Sequence, residues 1–544
     1  MPRMTGGDAI VDSLLKHGVE TIYGLPGVQM YGLFDAFARN ANRLQVINAR
    51  HEQTTAYMAL GSALSTGKPS AYTVVPGPGV MNTMGALTTA WGVNAPVMCI
   101  TGQVPSAMIG RGRGQLHEMP DQLATLKTLV KFAERIEHPT EAPQVMARAF
   151  QAMLSGRPGP VAVEMPWDMF SASADVTPVE PLGKRANPVP DPEKIAALAK
   201  LIGEAKAPMI WVGGGAVDAG KEVLELAEKI GAPVVSFRTG KGVVDSRHAL
   251  SLNTVQGFHL WDKTDLLIGI GTRLDVPLSR WVPLPAGLKV ARIDIDPAEH
   301  RRLAVNVALV VDAAEGTRAL IDALSNKANG KAWRDEIAAA RAAGQAQIEK
   351  AQPQYGMVEA IREALDEDGI VVDEVTQVAY IVWYGYPVYH PRTLISSGFS
   401  GTLGYGFPTA LGVKAANPDR KVISVTGDGG FLFAGSDLAT AVQFGINLVT
   451  VVVNNASYGN VLRDQQRLYD GRHSGSVLTN PDFQTYAKAF GVPSWQVRDA
   501  AGLKGALKEA LAADAPAIVE VVSDIKADYP PYEFHQPRVK VAVR

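Results

Sequence analysis

The sequence predicts an α/β protein of three successive doubly wound parallel-sheet domains, and three observations predict it. The chain has 544 residues, enough for about three or four cores of ordinary domain size. Short β-branched runs alternate with helical patterns along its whole length. Two low-complexity passages, Ser171 to Pro192 and about Ser325 to Pro353, then divide that rhythm into segments 1–172, 190–325 and 354–544.

The elements follow in order. Ile10, Leu14 and Leu15 recur at helical spacing in an opening stretch that also carries two acidic residues, unlike the apolar core of a signal peptide. In the first segment Leu44–Ala49, Ser70–Val75, Val97–Thr101 and Pro160–Met165 read as buried parallel strands, with a helix from His51. Pro208–Val212, Pro233–Phe237, Leu266–Ile270 and Lys289–Asp294 repeat the pattern in the second, the first of them leading into Gly213-Gly214-Gly215. Gly369–Asp373, Lys421–Thr426, Leu448–Val453 and Ala517–Val522 repeat it in the third. No short repeat points to a solenoid.

Composition excludes several classes. Lys+Arg 52 against Asp+Glu 54 gives a net charge of −2, without the basic field that nucleic-acid binding requires. Hydrophobic residues at 47% and charged residues at 19% describe a packed globular chain, not a disordered one. The single cysteine, Cys99, sits in the apolar run Ala95–Ile100, so no internal disulfide forms and a buried structural thiol is expected. With no segment near the roughly 20 apolar residues of a membrane span, the expectation is a cytosolic protein with no membrane or nucleic-acid partner.

The chemistry concentrates at Gly427-Asp428-Gly429-Gly430, which closes one predicted strand, and at Asn454-Asn455, which closes the next. In an open parallel sheet both lie at carboxyl ends, where ligands bind. Asp428 supplies an anionic oxygen and Asn455 a neutral one, a set suited to Mg²⁺, and the glycines admit backbone N–H groups to a diphosphate. A Gly-Asp-Gly alone is also ordinary turn chemistry; the second element, 27 residues from Asp428 to Asn455, is what makes the pattern specific.

That GDG(x)24NN pattern resembles the diphosphate motif of thiamine diphosphate enzymes. Tyr23–Gly27, Arg50–Gln53, Gly77–Asn82, Ile100–Gln103, Gly156–Pro160, Gly213–Gly215, Ile293–Pro297, Ser397–Gly406 and Asn480–Phe483 extend the resemblance to the acetolactate synthase, pyruvate oxidase and benzaldehyde lyase group, from about residue 6 to 525. It implies a pyrimidine-binding first domain, a middle domain that is a nucleotide site or its vestige, and a diphosphate-binding third domain. It also implies an active site between the first domain of one subunit and the third of its partner, hence a homodimer or homotetramer.

The resemblance assigns roles residue by residue. Glu52, on a helix rich in small residues (Ala56, Ala59, Gly61, Ala63), would be buried, with a raised pKa, and share a proton with N1′ of the cofactor's aminopyrimidine, making the thiazolium C2 the nucleophile; an acid near a helix N-terminus is its plain structural reading. Pro26 and Asn82 would also bind the cofactor. Leu403 would wedge the cofactor into its bent shape, with the Gly401 carbonyl accepting from its amine; otherwise Leu403 is a core leucine. Gln377, Val378, Gly427, Asp428, Gly429, Gly430, Asn455, Ser457, Tyr458 and Gly459 would hold the diphosphate. The metal set would be Asp428, Asn455 and the Ser457 carbonyl.

Substrate-side residues depart from the acetolactate synthases, which have Pro-Gly-Gly-Ala where this chain has Pro26-Gly27-Val28-Gln29. Their Ala-Phe-Gln-Glu corresponds to the stretch from Gly112 to Glu118, and whether Gln115, His117 or Glu118 takes the glutamine's place stays open. Their acceptor-selecting Trp is Asp464. Val28, Gln29, Gln115 and His117 are therefore the expected substrate-side residues, His117 being equally readable as a solvated side chain. The expected activity is cleavage or formation of C–C bonds next to a carbonyl in small 2-oxo acids, hydroxy ketones or aldehydes. Gly213–Gly215 would seat FAD or ADP, or simply pack a tight turn. The tail Pro530–Pro537 would cap the active-site mouth. A 2-hydroxyacyl-CoA lyase or oxalyl-CoA decarboxylase, with Arg538, Lys540 and Arg544 meeting CoA phosphates, is the alternative; a catalytically silent nucleotide-binding regulator is a remote one, disfavoured by the joint presence of Glu52, Asp428 and Asn455.

Overall fold

The computed structural model describes residues 1–324 and 333–524. Among them are three six-stranded sheets, every strand pair parallel, flanked by helices. The β-branched runs become the interior strands: Val97–Gln103, Leu266–Ile270 and Val449–Asn454 are buried along nearly their whole length. Helices cover both faces, as a parallel sheet requires.

Counted from one in chain order within each sheet, the first and third sheets share one strand order, 2-1-3-4-6-5, and the middle sheet has 3-2-1-4-5-6. In the third sheet the order reverses between Ile370–Asp373 and Val422–Gly427, in the first between Thr21–Gly24 and Ser70–Val74. Such switch points are where open α/β sheets bind ligands.

First and third domains are joined by helices. Glu52–Thr66 lies along Gly406–Ala416, and the close approach depends on glycine: a Cβ at Gly61 would stand 2.1 Å from the Thr409 carbonyl oxygen, and one at Gly412 2.0 Å from that of Met58. The small-residue face of the Glu52 helix thus meets its neighbour, and Tyr57 packs edge-on to Tyr405 with centroids 5.7 Å apart.

Some elements escape the sequence reading. Phe132–Arg135, Ser251–Asn253 and Ser494–Val497 are edge strands, short and partly polar, without the continuous apolar run of a buried strand. The passage from Ser325 to Pro353, read as a linker, contains the helix Arg334–Ile348. Its Ala-rich composition is strong helix-forming sequence; Ile337, Ala340 and Ile348 are buried, and Gly344 sits against Gln256. No helix among the described residues is long and apolar enough to cross a membrane.

Candidate active site

The third-domain half of the site is built on adjacent strand ends. Strand Val422–Gly427 runs into Asp428–Phe431, and Val449–Asn454 into the loop through Asn455 and Ser457, with Gly427 paired to Val453. Asn480 joins them: its amide nitrogen donates to Asp428 Oδ2 at 2.7 Å and to Asn454 Oδ1 at 2.9 Å. The Asn455 amide oxygen accepts from the Ser457 N–H at 3.2 Å and the Ser457 hydroxyl at 3.0 Å. Main-chain bonds from Tyr458 to Ser476 and from Leu478 to Ala456 hold the loop in place.

Burial pushes the Asp428 carboxyl above its ordinary value, against the pull of Asn480 and of the N–H groups of Gly429 and Ser457. A mostly buried carboxylate without an Arg or Lys partner among the described residues, beside the Asn455 amide oxygen and the Ser457 loop, is an oxygen-donor set that fits Mg²⁺. Gly429 has no room for a side chain, since a Cβ would stand 2.5 Å from the Tyr458 ring.

Glu374, after the neighbouring strand Ile370–Asp373, completes this half. One carboxylate oxygen accepts from the Gly404 N–H at 2.7 Å, and the other from the Gly406 N–H at 2.8 Å and the Thr426 hydroxyl at 2.9 Å. Burial raises its pKa and these donors oppose the rise. Gln377 Nε2 donates to Asn460 Oδ1 at 2.9 Å, and Asn460 donates to the Tyr380 hydroxyl. Val378 is buried. Leu403, on the loop after Gly401 (φ 55°), is 36% exposed and so is not a core leucine.

The first-domain half is looser. Glu52 begins its helix half-buried, not fully buried as expected; among the described residues its carboxylate accepts from the Asn82 amide at 3.0 Å. The helix start is anchored on the third domain: Asp437 accepts from the Arg50 N–H at 2.7 Å and the Thr54 hydroxyl at 2.6 Å. Pro26, Asn82 and Val28 are exposed. Gln29 is buried instead of projecting into the opening, its amide nitrogen donating to the Leu116 carbonyl at 3.0 Å. It therefore ties down the loop bearing Gln115 and His117. That loop closes on itself through Gln115 N–H to Glu118 Oε2 at 2.9 Å, with His117 at φ 63°. It rests on Gly77, where a Cβ would meet the His117 carbonyl oxygen at 2.4 Å.

Family models for the thiamine pyrophosphate enzymes match along the chain: the N-terminal TPP binding domain at residues 4–125, the central domain at 195–320 and the C-terminal TPP binding domain at 374–521. The chain belongs to the thiamine pyrophosphate enzymes. Within this family it is 31% identical to the acetolactate synthase isozyme 1 large subunit of Escherichia coli (strain K12), over 96% of this chain and 94% of that protein. It is 33% identical to the acetolactate synthase of Arthrospira platensis, over 95% and 94%, and 32% identical to the probable 2-ketoarginine decarboxylase AruI of Pseudomonas aeruginosa, over 95% and 94%. It is a thiamine diphosphate-dependent carboligase or decarboxylase of the acetolactate synthase group.

Glu374 and Asp437 are site residues that no sequence motif singled out. Asn480 stood in a quoted motif without a role. An acid next to a strand end was the available signal for Glu374, and Asn480-Pro-Asp after a turn that for Asn480. Gly213 and Gly215 press on Gly271, Cβ atoms there falling 2.5 and 2.9 Å from its atoms, so packing accounts for both glycines. Cys99 is buried and its thiol is pushed up to about 12 by burial, as suits a structural residue. The tail from Pro530 and the basic residues Arg538, Lys540 and Arg544 lie outside the described residues.

Proposed function

We propose that this chain is a thiamine diphosphate- and Mg²⁺-dependent lyase or carboligase acting on small 2-oxo acids, 2-hydroxy ketones or aldehydes, with a donor and acceptor preference different from authentic acetolactate synthesis. The observation that carries the reading is the meeting of Asp428, Asn455 and Ser457 at adjacent strand ends, where Asn480 ties Asp428 to Asn454 and Ser457 bonds to Asn455. When bound, the cofactor supplies a carbon nucleophile that adds to a carbonyl and lets CO₂ or an aldehyde leave.

The chain's own residues do the rest. Asp428, the Asn455 amide oxygen and the Ser457 carbonyl would hold the metal, and main-chain N–H groups around Gly427 to Gly430, with Gln377, Val378, Tyr458 and Gly459, would hold the diphosphate. Leu403, exposed on its loop, and the Gly401 carbonyl would support the bound cofactor. Glu52, oriented by Asn82 and flanked by Pro26, moves a proton at N1′. Val28, with the Gln115–His117 loop that Gln29 tethers, borders the space where substrate sits.

A homodimer or homotetramer would close this open first-domain half. Exposed Met81, Trp91 and Phe433 support that reading, and sedimentation analysis of the holoenzyme tests it, a strictly monomeric active enzyme ruling it out. For the activity, a panel of 2-oxo acids and aldehydes is assayed for CO₂ and ketol products with thiamine diphosphate and Mg²⁺ supplied. Turnover that needs neither would sink the cofactor reading; acetolactate from pyruvate as the dominant product would sink the substrate reading.

A further inference from the structure

Glu374 stands at the switch point of the third sheet, with Leu394–Ile395 pairing on one side of its strand and Val422–Gly427 on the other. The residue is 1% exposed. No cationic side chain contributes to holding its charge among the described residues; its partners are the Gly404 and Gly406 N–H groups and the Thr426 hydroxyl. A buried carboxylate without a cation is costly unless hydrogen bonds replace its water, so an acid here needs a reason beyond filling space.

Its partners supply one. Gly404 directly follows Leu403, and Thr426 directly precedes Gly427-Asp428. One side chain therefore joins the loop that carries the wedge to the strand that carries the metal ligand. Two glycines are shaped around it: a Cβ at Gly430 would lie 1.9 Å from Glu374 Oε1, and one at Gly406 2.9 Å from Oε2. The Asp428 turn is thus pressed against Glu374 as well as tied to it.

The geometry points to Glu374 as a positioning residue that fixes Leu403 relative to Asp428 before the cofactor binds. The assignment rests on the roles given to Leu403 and Asp428 in the proposed function. Glu374 acts through the Gly404–Gly406 backbone and through Thr426, the groups its carboxylate meets.

Glu374→Gln tests it, because either amide orientation sets an NH₂ against a glycine N–H, that of Gly404 or that of Gly406. In the apo variant, hydrogen exchange followed by mass spectrometry is expected to run about 10- to 100-fold faster at residues 402–407. Strand Ala517–Val522 should keep its wild-type protection. Affinity for thiamine diphosphate with Mg²⁺, by calorimetric titration, should fall roughly tenfold or more, and the near-ultraviolet circular dichroism band of the bound aminopyrimidine should change at saturation. Thr426→Val removes the hydroxyl alone, and the same effects should appear in smaller degree; it carries the test if Glu374→Gln does not fold. Glu374→Asp keeps the charge but is one methylene too short for both glycines and should restore only part of the protection. Wild-type exchange at 402–407 in these variants overturns the proposal, and so does faster exchange with unaltered affinity and an unaltered band. If the wild type itself does not bind thiamine diphosphate, the cofactor reading fails, and with it the link from Glu374 to the cofactor, whereas the apo exchange result still decides whether Glu374 holds the loop.

Discussion

The first and third sheets share a strand order but finish their carboxyl edges differently. In the third domain polar groups are cross-tied: Asp428 to Asn480 to Asn454, Gln377 to Asn460 to Tyr380, and Glu374 to both glycines of the Leu403 loop. In the first, the cross-ties lie behind the opening, Gln122 to Gly77, Gly102 and Glu164, whereas at the opening itself Glu52 meets Asn82 alone among the described residues, and Val28, Met81 and Leu116 are left exposed. The contrast teaches that one half of the site is organised in advance by its own chain, whereas the other presents a carboxylate and an open apolar rim. Preorganised donors suit a cofactor that is always the same; an open rim suits the part that selects among substrates.

The largest expected effect comes from breaking the ordered half. Asp428→Ala removes the proposed anionic metal ligand, and affinity for thiamine diphosphate with Mg²⁺ should fall about 100-fold or more while the unfolding transition stays cooperative, since the residue lies beyond a strand end. Calorimetry alongside thermal denaturation checks it, and an unchanged affinity would break the metal assignment. Glu52→Gln attacks the looser half without emptying the site. Thiamine diphosphate should still bind, yet proton exchange at its C2 should slow by roughly 10²- to 10⁴-fold; NMR of the bound cofactor showing a wild-type rate would remove Glu52 from its role.

Asn480→Ala sharpens the comparison further, because it deletes a tie and keeps every proposed metal ligand. Losing a hydrogen bond to a charged group costs about 1.5–3 kcal/mol, so cofactor affinity should drop roughly 10- to 100-fold, less than for Asp428→Ala. Equal affinity in Asn480→Ala and wild type would show that the cross-tie is ornamental. The smallest effect is expected at the open rim. Val28→Gly should leave cofactor affinity unchanged and shift the ratio of products across the substrate panel by about 1–3 kcal/mol in discrimination; an identical product profile would place selection elsewhere.

Much of this was legible before any coordinates. Interior parallel strands are buried on both faces, so Ser70–Val74, Leu266–Ile270 and Val449–Asn454 show as continuous apolar runs. Asp428 and Asn455 stand out because a Gly-Asp-Gly and an Asn-Asn turn close neighbouring strands at a fixed spacing. Edge strands such as Ser494–Val497 carry no such run, and the helix Arg334–Ile348 was hidden by an Ala/Lys-rich composition that resembles a linker. Gln29 misled for another reason: sequence position put it beside Val28, but the backbone turn at Val28–Met30 sends the two side chains to different environments, one exposed and one buried.

By itself the sequence determined the three-domain α/β plan, the Gly-Asp-Gly and Asn-Asn turns, and the family, because each is written in residues close together or in a spacing that strand and helix lengths impose. Only the tertiary structure decided which side chains hold those turns. Glu374 reaches Gly404 and Gly406 across 30 and 32 residues and Thr426 across 52, and Asn480 reaches Asp428 across 52. Such contacts form only when the sheet has set its strand order, since hydrogen bonds act over about 3 Å and no local pattern records which distant backbone will arrive within that reach.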